Sequence, residues 1–441
     1  PRPHGDRLMN AEVESETVKI TQTDADALTQ TTPRPEAPAP NSQSVTQSIA
    51  VRPLGTDDLR RHADAAGRAA IAEVDFEALP TAMRQFDVAG LLVIAATVHE
   101  LGGLPKDTIH TANQVAEAMG VAARHRPIVR RWLEILTAEQ LLVRDEDGRY
   151  RGLRAPTQEE CTAADAALDG ACAVLGYSAE LISFFRVAIQ NLPKLLRDEV
   201  MLQALLFPEG EIATALGLYQ DNTINRYLNA AVAEVVRRAA EKRATTLRVL
   251  ELGAGVGGTT ATVLSSLVDQ DVDYLFTDVS RFFLITGQER FGDHPRLRYA
   301  LVDINGELPG QGIPEGKTDV VIAVNVAHNA HHVGRLVAGL RRLLTPDGLL
   351  VMIEGYREYY QIMTSLRFLM SPQPGQLAVG LTDVRAGSDR IFLTRKEWLA
   401  ELHAAGLRPL LDLPDPHGDP LAALAQCLFV ATPANLARTD P

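Results

Sequence analysis

The sequence predicts an α/β protein built on a mostly parallel sheet. The chain contains short apolar runs, and most of them are followed by a helical segment. This alternation is typical of the buried strands of such a sheet. The runs lie at 248–252, 274–277, 297–301, 320–324 and 349–353. Two more runs, 407–411 and 427–431, follow one another without a helical pattern between them. We therefore expect the sheet to end in an antiparallel pair.

Length, composition and charge narrow the class of protein. The chain has 441 residues, 46% of them hydrophobic and 22% charged, which is ordinary for a globular protein of two or three domains. Its net charge of −13 disfavours nucleic acid as a partner. We read no apolar run near the roughly 20 residues that cross a bilayer, and no secretory signal, so we expect a cytoplasmic protein without a membrane partner. The cysteines, Cys161, Cys172 and Cys427, lack metal-binding spacing and are expected to be reduced.

The chain divides into four predicted segments. Residues 1–55 are rich in Thr, Gln, Ser and Pro and are expected to form a disordered tail or linker. Residues 56–158 predict a helical, winged-helix-like domain, and 159–243 a helical lid or linker. Residues 244–441 predict the sheet domain, with an insert at 356–398 in the position of a substrate lid. A winged helix either binds DNA or packs beside a catalytic domain, and the acidic chain favours packing.

A glycine-rich turn follows the first strand of the sheet. Glu251 ends the strand, glycines at 253, 255 and 257 permit unusual backbone angles, and Thr259 begins a helix. Asp278 ends the next strand, where an acid commonly binds ribose hydroxyls. Together these features resemble the S-adenosylmethionine (SAM) site of class I methyltransferases, which have a Rossmann-like core. The alternatives are a nicotinamide site or a purely structural turn. The residues expected to contact SAM are Glu251, Gly253, Ala254, Gly255, Gly257, Thr259, Asp278, Val279, Asp303 and Asn325.

Several segments in order resemble the carbon-methyltransferase domains of polyketide synthases. They read LFPEGE at 206–211, LYQDN at 218–222, YLN at 227–229, FTDVSRFF at 276–283 and VNVAH at 324–328. That family uses a His/Glu pair, and the resemblance implies that His328 and Glu354 are catalytic here. Such a pair suits carbon methylation, because a base must remove a proton alpha to a carbonyl while a carboxylate fixes the imidazole.

Two further histidines, His331 and His332, follow the expected base. If a helix begins there, His328, His331 and His332 share one face, as a divalent metal site requires. This variant is similar to methyltransferases of polyketide-synthase loading modules, which act on malonyl groups and depend on iron. The resemblance implies Fe(II) or another divalent metal; solvated histidines are the alternative. Gln376, Asp383 and Asp389 of the insert are further candidate ligands.

The sequence thus predicts a SAM-dependent C-methyltransferase that acts on an acyl group, with malonyl the first candidate, on an acyl carrier protein in polyketide biosynthesis. The first alternative is a free-standing O- or N-methyltransferase of a small natural product. The second is a ligand-sensing DNA-binding regulator, which would use a basic recognition helix. Arginines do cluster in the winged-helix-like region, at Arg124, Arg126, Arg130 and Arg131.

Overall fold

The predicted sheet is present and has the predicted mixed character. The computed structural model describes residues 56–292, 294–376 and 379–434, so the predicted tail at 1–55 lies outside the described residues. Within them, a small hairpin (β1 Val143–Arg144, β2 Tyr150–Arg151) precedes seven strands of one sheet. These are β3 Leu247–Leu252, β4 Val272–Asp278, β5 Leu297–Leu301, β6 Thr318–Val324, β7 Leu344–Gly355, β8 Leu407–Leu413 and β9 Gln426–Pro433.

The strand order is β5-β4-β3-β6-β7-β9-β8, and β9 is antiparallel to both of its neighbours. Leu252 at the end of β3 pairs with Ala323, and Val324 at the end of β6 pairs with Ile353 of β7. Because these parallel strands end nearly level, the segments that follow β3, β6 and β7 meet at one edge of the sheet. That edge is where ligands of open α/β sheets bind.

Ten of the described α-helices precede the sheet in the chain, and five follow its first strand. The helices ahead of the sheet are α1 Thr56–Ala69, α2 Leu79–Glu100, α3 Ala112–Ala118, α4 Arg126–Ala138, α5 Gln158–Val174, α6 Ala179–Gln190, α7 Leu192–Leu196, α8 Leu202–Leu206, α9 Ala213–Tyr219 and α10 Thr223–Glu241. Those that follow its first strand are α11 Gly258–Ser266, α12 Arg281–Phe291, α13 Val333–Leu343, α14 Tyr360–Met363 and α15 Arg395–Ala404.

Helix α2 is the longest of the described helices and lies in the core. By length and composition the helical stretch Phe76–Glu100 could cross a membrane, and 56% of its most apolar part is buried inside the protein. The helix contains Arg84 and Asp87, and its uninterrupted apolar run is shorter than the roughly 20 residues that cross a bilayer. The helix begins well before the apolar run at 90–98, and residues on several of its faces, such as Phe86, Ile94 and Val98, are buried. Burial against other helices accounts for its apolar composition.

The winged-helix-like elements are present, but their basic residues bind within the protein. Helices α3 and α4 are followed by the β1–β2 hairpin, as predicted. The predicted arginine cluster mostly pairs with acids of the chain: Arg124 with Asp198, Arg126 with Glu117, Arg130 with Asp389, and Arg131 with Glu134 and Glu358. Intramolecular pairing leaves these side chains poorly placed to read DNA, which favours the packing role for this region.

Helix α10 connects the helical region to the glycine-rich turn. Tyr227 and Leu228 are fully buried, and the side chain of Asn229 accepts a hydrogen bond from Thr259 Oγ1 at 2.8 Å. Asn229 Nδ2 also donates to the carbonyl oxygen of Tyr219 at 3.3 Å. The YLN segment thus ties α9 and α10 to the start of α11, which explains in physical terms why it accompanies the turn.

Candidate active site

The three glycines of the turn have positive φ angles, but for different reasons. Gly253 (φ 60°) and Gly257 (φ 75°) are closely packed: an added Cβ would lie 2.4 Å from Val326 and 2.6 Å from Phe291, respectively. Gly255 (φ 55°) has open space, with nothing within 4 Å of an added Cβ. Gly253 and Gly257 therefore shape the turn, while Gly255 leaves room for a ligand to approach the backbone.

A cavity of about 360 Å³ opens beside this turn, at the edge where the parallel strands end. Nine of the ten residues predicted to contact SAM line it; the exception is Gly257. Their direct contact with the cofactor stays a prediction. The volume is within the usual range for small-molecule sites. Lining residues that the sequence reasoning missed are Phe207, Ala215, Tyr219, Val256, Gly258, Phe283, Val302, Ile304, Asn305, Val324, Val326 and Asn329.

Glu251 is a buried acid at the floor of this cavity. Its Oε2 accepts hydrogen bonds from Thr260 Oγ1 at 2.5 Å and from the Tyr274 hydroxyl at 2.6 Å. Burial raises its pKa to about 7, the two hydrogen bonds oppose this rise, and the charge of Asp278 adds to it. A cation placed here would favour the ionised carboxylate, so Glu251 suits a ligand with positive charge.

Asp278, at the end of β4, holds the backbone of the turn. Its Oδ2 accepts a hydrogen bond from the Gly255 N–H at 3.1 Å, and its Oδ1 accepts one from the Ser280 N–H at 2.9 Å. Burial raises the pKa of Asp278, and these backbone hydrogen bonds oppose the rise. The carboxylate still lines the cavity, where an acid can accept hydrogen bonds from ribose hydroxyls.

His328 and Glu354 form a buried pair that does not itself line the cavity, although Asn325, Val326 and Asn329 next to His328 in the chain do. Glu354 is fully buried at the end of β7, and its Oε2 lies 2.7 Å from Nδ1 of His328. Its Oε1 accepts from the backbone N–H groups of Val326 at 3.0 Å and Ala327 at 2.6 Å. Because an ionised carboxylate only accepts, Nδ1 carries the proton and Nε2 keeps its lone pair. The geometry therefore leaves Nε2 available as a base.

Asn325 lies between the cavity and the antiparallel end of the sheet. It has a positive φ of 50°, which is uncommon for a residue other than glycine and is frequent at functional sites. Its N–H donates to the carbonyl oxygen of Ile353 at 2.8 Å, and its side-chain amide donates to Gln426 Oε1 at 3.4 Å. These contacts hold the amide at the cavity wall.

The prediction that three histidines share one face of a helix is wrong. Residues Ala327–Asn329 form a 3-10 turn and α13 begins only at Val333, so His328, His331 and His332 do not share a helical face. Nδ1 of His332 instead accepts from the N–H of Arg335 at 3.3 Å and caps α13. Among the described residues, no group of three His, Cys, Asp or Glu side chains is placed to hold a metal. The three histidines therefore do not fit the divalent metal site that the resemblance implied.

The candidate ligands from the insert have other partners. Asp383 binds Arg385, and Asp389 forms a bidentate pair with Arg130 at 2.7 and 3.0 Å. Gln376 is exposed. These residues thus serve packing and turn geometry in the described structure.

Comparison with known proteins identifies a methyltransferase domain in this chain. A family described as "Methyltransferase domain" matches residues 250–350, from within β3 to within β7. The structure of the CurJ carbon methyltransferase superposes with a TM-score of 0.75, covering 86% of this chain and 100% of that one at 24% identity. The chain therefore contains a SAM-dependent methyltransferase domain with the class I fold. The methyltransferase shares the overall fold of that carbon-methyltransferase domain, including the helical region ahead of the sheet, so the predicted fold class is confirmed.

Two curated relatives extend the comparison by sequence. The methyltransferase is 31% identical over 336 residues to pyochelin synthetase PchF of Pseudomonas aeruginosa, a match covering 75% of this chain. It is 32% identical over 251 residues to polyketide synthase ThaQ of Burkholderia thailandensis, covering 53% of this chain. The matches span only 18% and 12% of those proteins. The methyltransferase is therefore similar to one segment of each synthase.

Proposed function

We propose that the methyltransferase transfers the methyl group of SAM to the alpha carbon of an acyl group held as a thioester on an acyl carrier protein, with malonyl as the substrate. The observation that carries this proposal is the buried pair of His328 and Glu354 beside the cavity. A hydroxyl oxygen would use such a base as well, so the choice of carbon is also supported by the likeness to the CurJ carbon methyltransferase. Methylation of carbon requires a proton to be removed first, and a positioned base provides for that step.

The chain's own residues supply the proton transfer. Nε2 of His328 takes the alpha proton, and the electrons of the carbon–hydrogen bond pass into the enolate of the thioester. Glu354 holds the imidazole through Nδ1 and stabilises its cation. When bound, SAM supplies an electrophilic methyl group on sulfur. Held in the cavity that Glu251 and Asp278 line, it would give this methyl group to the alpha carbon with loss of the sulfur–methyl bond. The proton taken up by His328 passes to solvent.

A carrier-bound substrate is supported by the kind of protein that the methyltransferase resembles. ThaQ is a polyketide synthase and PchF a synthetase, and each matches this chain over a small part of its length. A domain within such a synthase would receive its substrate on a carrier. A reducing cytoplasm is the compartment we propose, since Cys161, Cys172 and Cys427 are all free thiols.

The proposal contains no metal step. Metal assistance was expected from a shared histidine face, and that face is absent because α13 begins at Val333. His328 already uses Nδ1 for Glu354, and His332 uses Nδ1 for its capping bond. The His/Glu pair is sufficient to account for proton removal.

The test is methyl transfer to malonyl carrier protein, followed by mass spectrometry. Alkaline release should give methylmalonate if the methyl group is on carbon and malonate if it was on an ester oxygen. His328→Ala should lose about 10²–10⁴-fold in rate while retaining SAM binding. The matched control is His403→Ala, at an exposed histidine of α15, which should keep the parent rate.

Two results would contradict the proposal. Full activity of His328→Ala would remove the base from the mechanism. Equal methylation of free malonyl thioester and malonyl carrier protein would favour the alternative of a free-standing methyltransferase for small substrates.

A further inference from the structure

One arginine of the insert is almost completely buried against the loop that carries His328. The side chain of Arg385 is 1% exposed. Its Nη1 donates to the carbonyl oxygens of His328 at 2.6 Å and Ile391 at 2.7 Å. Its Nη2 donates to the carbonyl oxygen of Ala330 at 2.9 Å and to Asp383 at 2.7 Å, and its Nε donates to Asp383 at 3.0 Å. A guanidinium has five N–H groups, and five hydrogen bonds occupy them here.

Asp383 extends this contact to the start of α13. Its Oδ2 accepts from the N–H of Val333 at 3.0 Å, and its Oδ1 accepts from the N–H of Arg385 at 2.9 Å. Burial would raise the pKa of Asp383, but the hydrogen bonds from Arg385 and the two backbone N–H groups lower it to about 2. Next to it, the N–H of Thr382 donates to the carbonyl oxygen of His331 at 2.9 Å. The insert thus binds the loop at residues 328, 330, 331 and 333.

Arg385 also binds the backbone next to Phe392, whose ring packs on the imidazole of His328. The side chain of Phe392 lies edge-on to the imidazole, with ring centroids 5.0 Å apart and an interplanar angle of 74°. Its chain neighbour Ile391 is the residue whose carbonyl oxygen accepts from Arg385. Glu354 orients the imidazole through Nδ1, while Arg385 fixes both the backbone of His328 and the segment that supports the ring face.

We propose that Arg385 is a positioning residue that, with Asp383, holds the imidazole of His328 in the orientation needed for proton removal. This inference rests on the proposed function, in which His328 is the base. It assigns the insert a role in catalytic geometry, in addition to the role of a substrate lid that its position in the sequence predicts. A misplacement of about 1 Å can cost on the order of 10²-fold in rate.

A general contribution to stability is the competing explanation, and the geometry offers a way to separate the two. Lysine keeps the charge of Arg385 but cannot form the planar fork that reaches three carbonyl oxygens and a carboxylate at once. Arg385→Lys should therefore loosen the loop without leaving Asp383 far from a cation. The matched control is Arg390→Lys in the same insert, where the arginine binds Ser388, Val384 and Glu397.

The experiment compares the parent protein with Arg385→Lys, His328→Ala, the double variant and Arg390→Lys. Methyl transfer is measured with SAM and malonyl carrier protein, SAM binding by calorimetry, and folding by thermal unfolding. We expect Arg385→Lys to lower kcat about 10- to 10²-fold with the Kd of SAM unchanged. In the His328→Ala background the same change should have no further effect, because Arg385 acts through His328.

A spectroscopic measurement tests the inference without turnover. In protein labelled with 15N-histidine, the Nδ1–H signal of His328, assigned by its loss in His328→Ala, should shift or broaden in Arg385→Lys and stay unchanged in Arg390→Lys. If Arg385→Lys fails to fold, Asp383→Asn takes its place in both measurements.

The outcomes separate this inference from the proposed function. Full activity of His328→Ala overturns the proposed function. A parent-like kcat and a parent-like His328 signal in a folded Arg385→Lys overturn the positioning role, whatever His328 does. The positioning role would also be overturned if Arg385→Lys lowered the rate by the same factor in the His328→Ala background as in the parent protein. A purely structural contribution would be additive in this way.

Discussion

Replacing Glu251 by glutamine should remove a pH dependence from SAM binding. The carboxyl group is buried at the cavity floor with a pKa of about 7 before ligand binds. SAM carries a positive sulfonium group, so we expect it to bind the ionised form of Glu251 preferentially. With this pKa, the ionised fraction rises from about 0.1 at pH 6 to about 0.9 at pH 8. The association constant should therefore rise up to about tenfold over this interval.

The stability of the ligand-free protein should change with pH in the opposite direction to the SAM affinity. The pKa of Glu251 in the folded protein is raised above its ordinary value of 4.5, so the folded state binds more protons than the unfolded state between pH 4.5 and about 7. The free energy of unfolding should therefore be unaffected by Glu251 below about pH 4.5 and should fall as the pH rises towards 7. The total effect is on the order of 3 kcal/mol, and SAM should offset part of it.

Isothermal titration of SAM at pH 6, 7 and 8 measures this effect. Glu251→Gln should bind with little change over the series, and at pH 8 more weakly than the parent. S-adenosylhomocysteine, which lacks the sulfonium charge, is the control ligand and should show a smaller rise in the parent protein. A parent protein whose SAM affinity is flat from pH 6 to 8 would show that Glu251 does not sense the ligand's charge. Asp278 is the neighbouring acid, and Asp278→Asn checks that it is not the titrating group.

Three other predictions concern the turn, the catalytic pair and the histidines. Gly255→Val should abolish SAM binding, because φ of 55° is unfavourable for valine and its side chain would enter the open space of the cavity; calorimetry checks this, and parent-like affinity would show that the site is elsewhere. Glu354→Gln should fold and bind SAM but lose about 10²–10⁴-fold in methyl transfer, measured with malonyl carrier protein; an unchanged rate would leave the carboxylate a purely structural role. Exhaustive chelation, or His331→Ala, should leave the methylation rate within about twofold, since the histidines do not converge as ligands; a loss restored by Fe(II) would revive a metal mechanism.

The sheet could be predicted because its signal is local. Each buried parallel strand is a short apolar run, and the glycines and acid at the end of β3 are consecutive in the chain. The closeness of His328 and Glu354 could be predicted as well, since β6 and β7 are neighbours and end together. These inferences needed only strand order and the rule that parallel strands end at one edge.

The remaining features of the site depend on contacts between distant segments. Phe207 and Tyr219 reach the cavity from the helical region, and strand periodicity contains no information about where that region packs. The helix expected at His328 does not form, and Arg385 binds the carbonyl oxygens of His328 and Ala330, which a helix would need as acceptors. Tertiary hydrogen bonds here outweigh the local periodicity on which the prediction depended.

The position of α10 matters for anyone who would transplant this catalytic unit into a different protein. Thirteen of the nineteen residues of α10 are buried, and Asn229 holds Thr259 at the start of α11. Fully buried side chains from Leu59 to Val430 belong to one continuous hydrophobic cluster. A transplant cut at the predicted core boundary, residue 244, would strip this surface from the sheet and leave the cofactor turn without its anchor. The smallest transferable piece among the described residues therefore begins near Thr56, and a swap that respects only the sheet should aggregate.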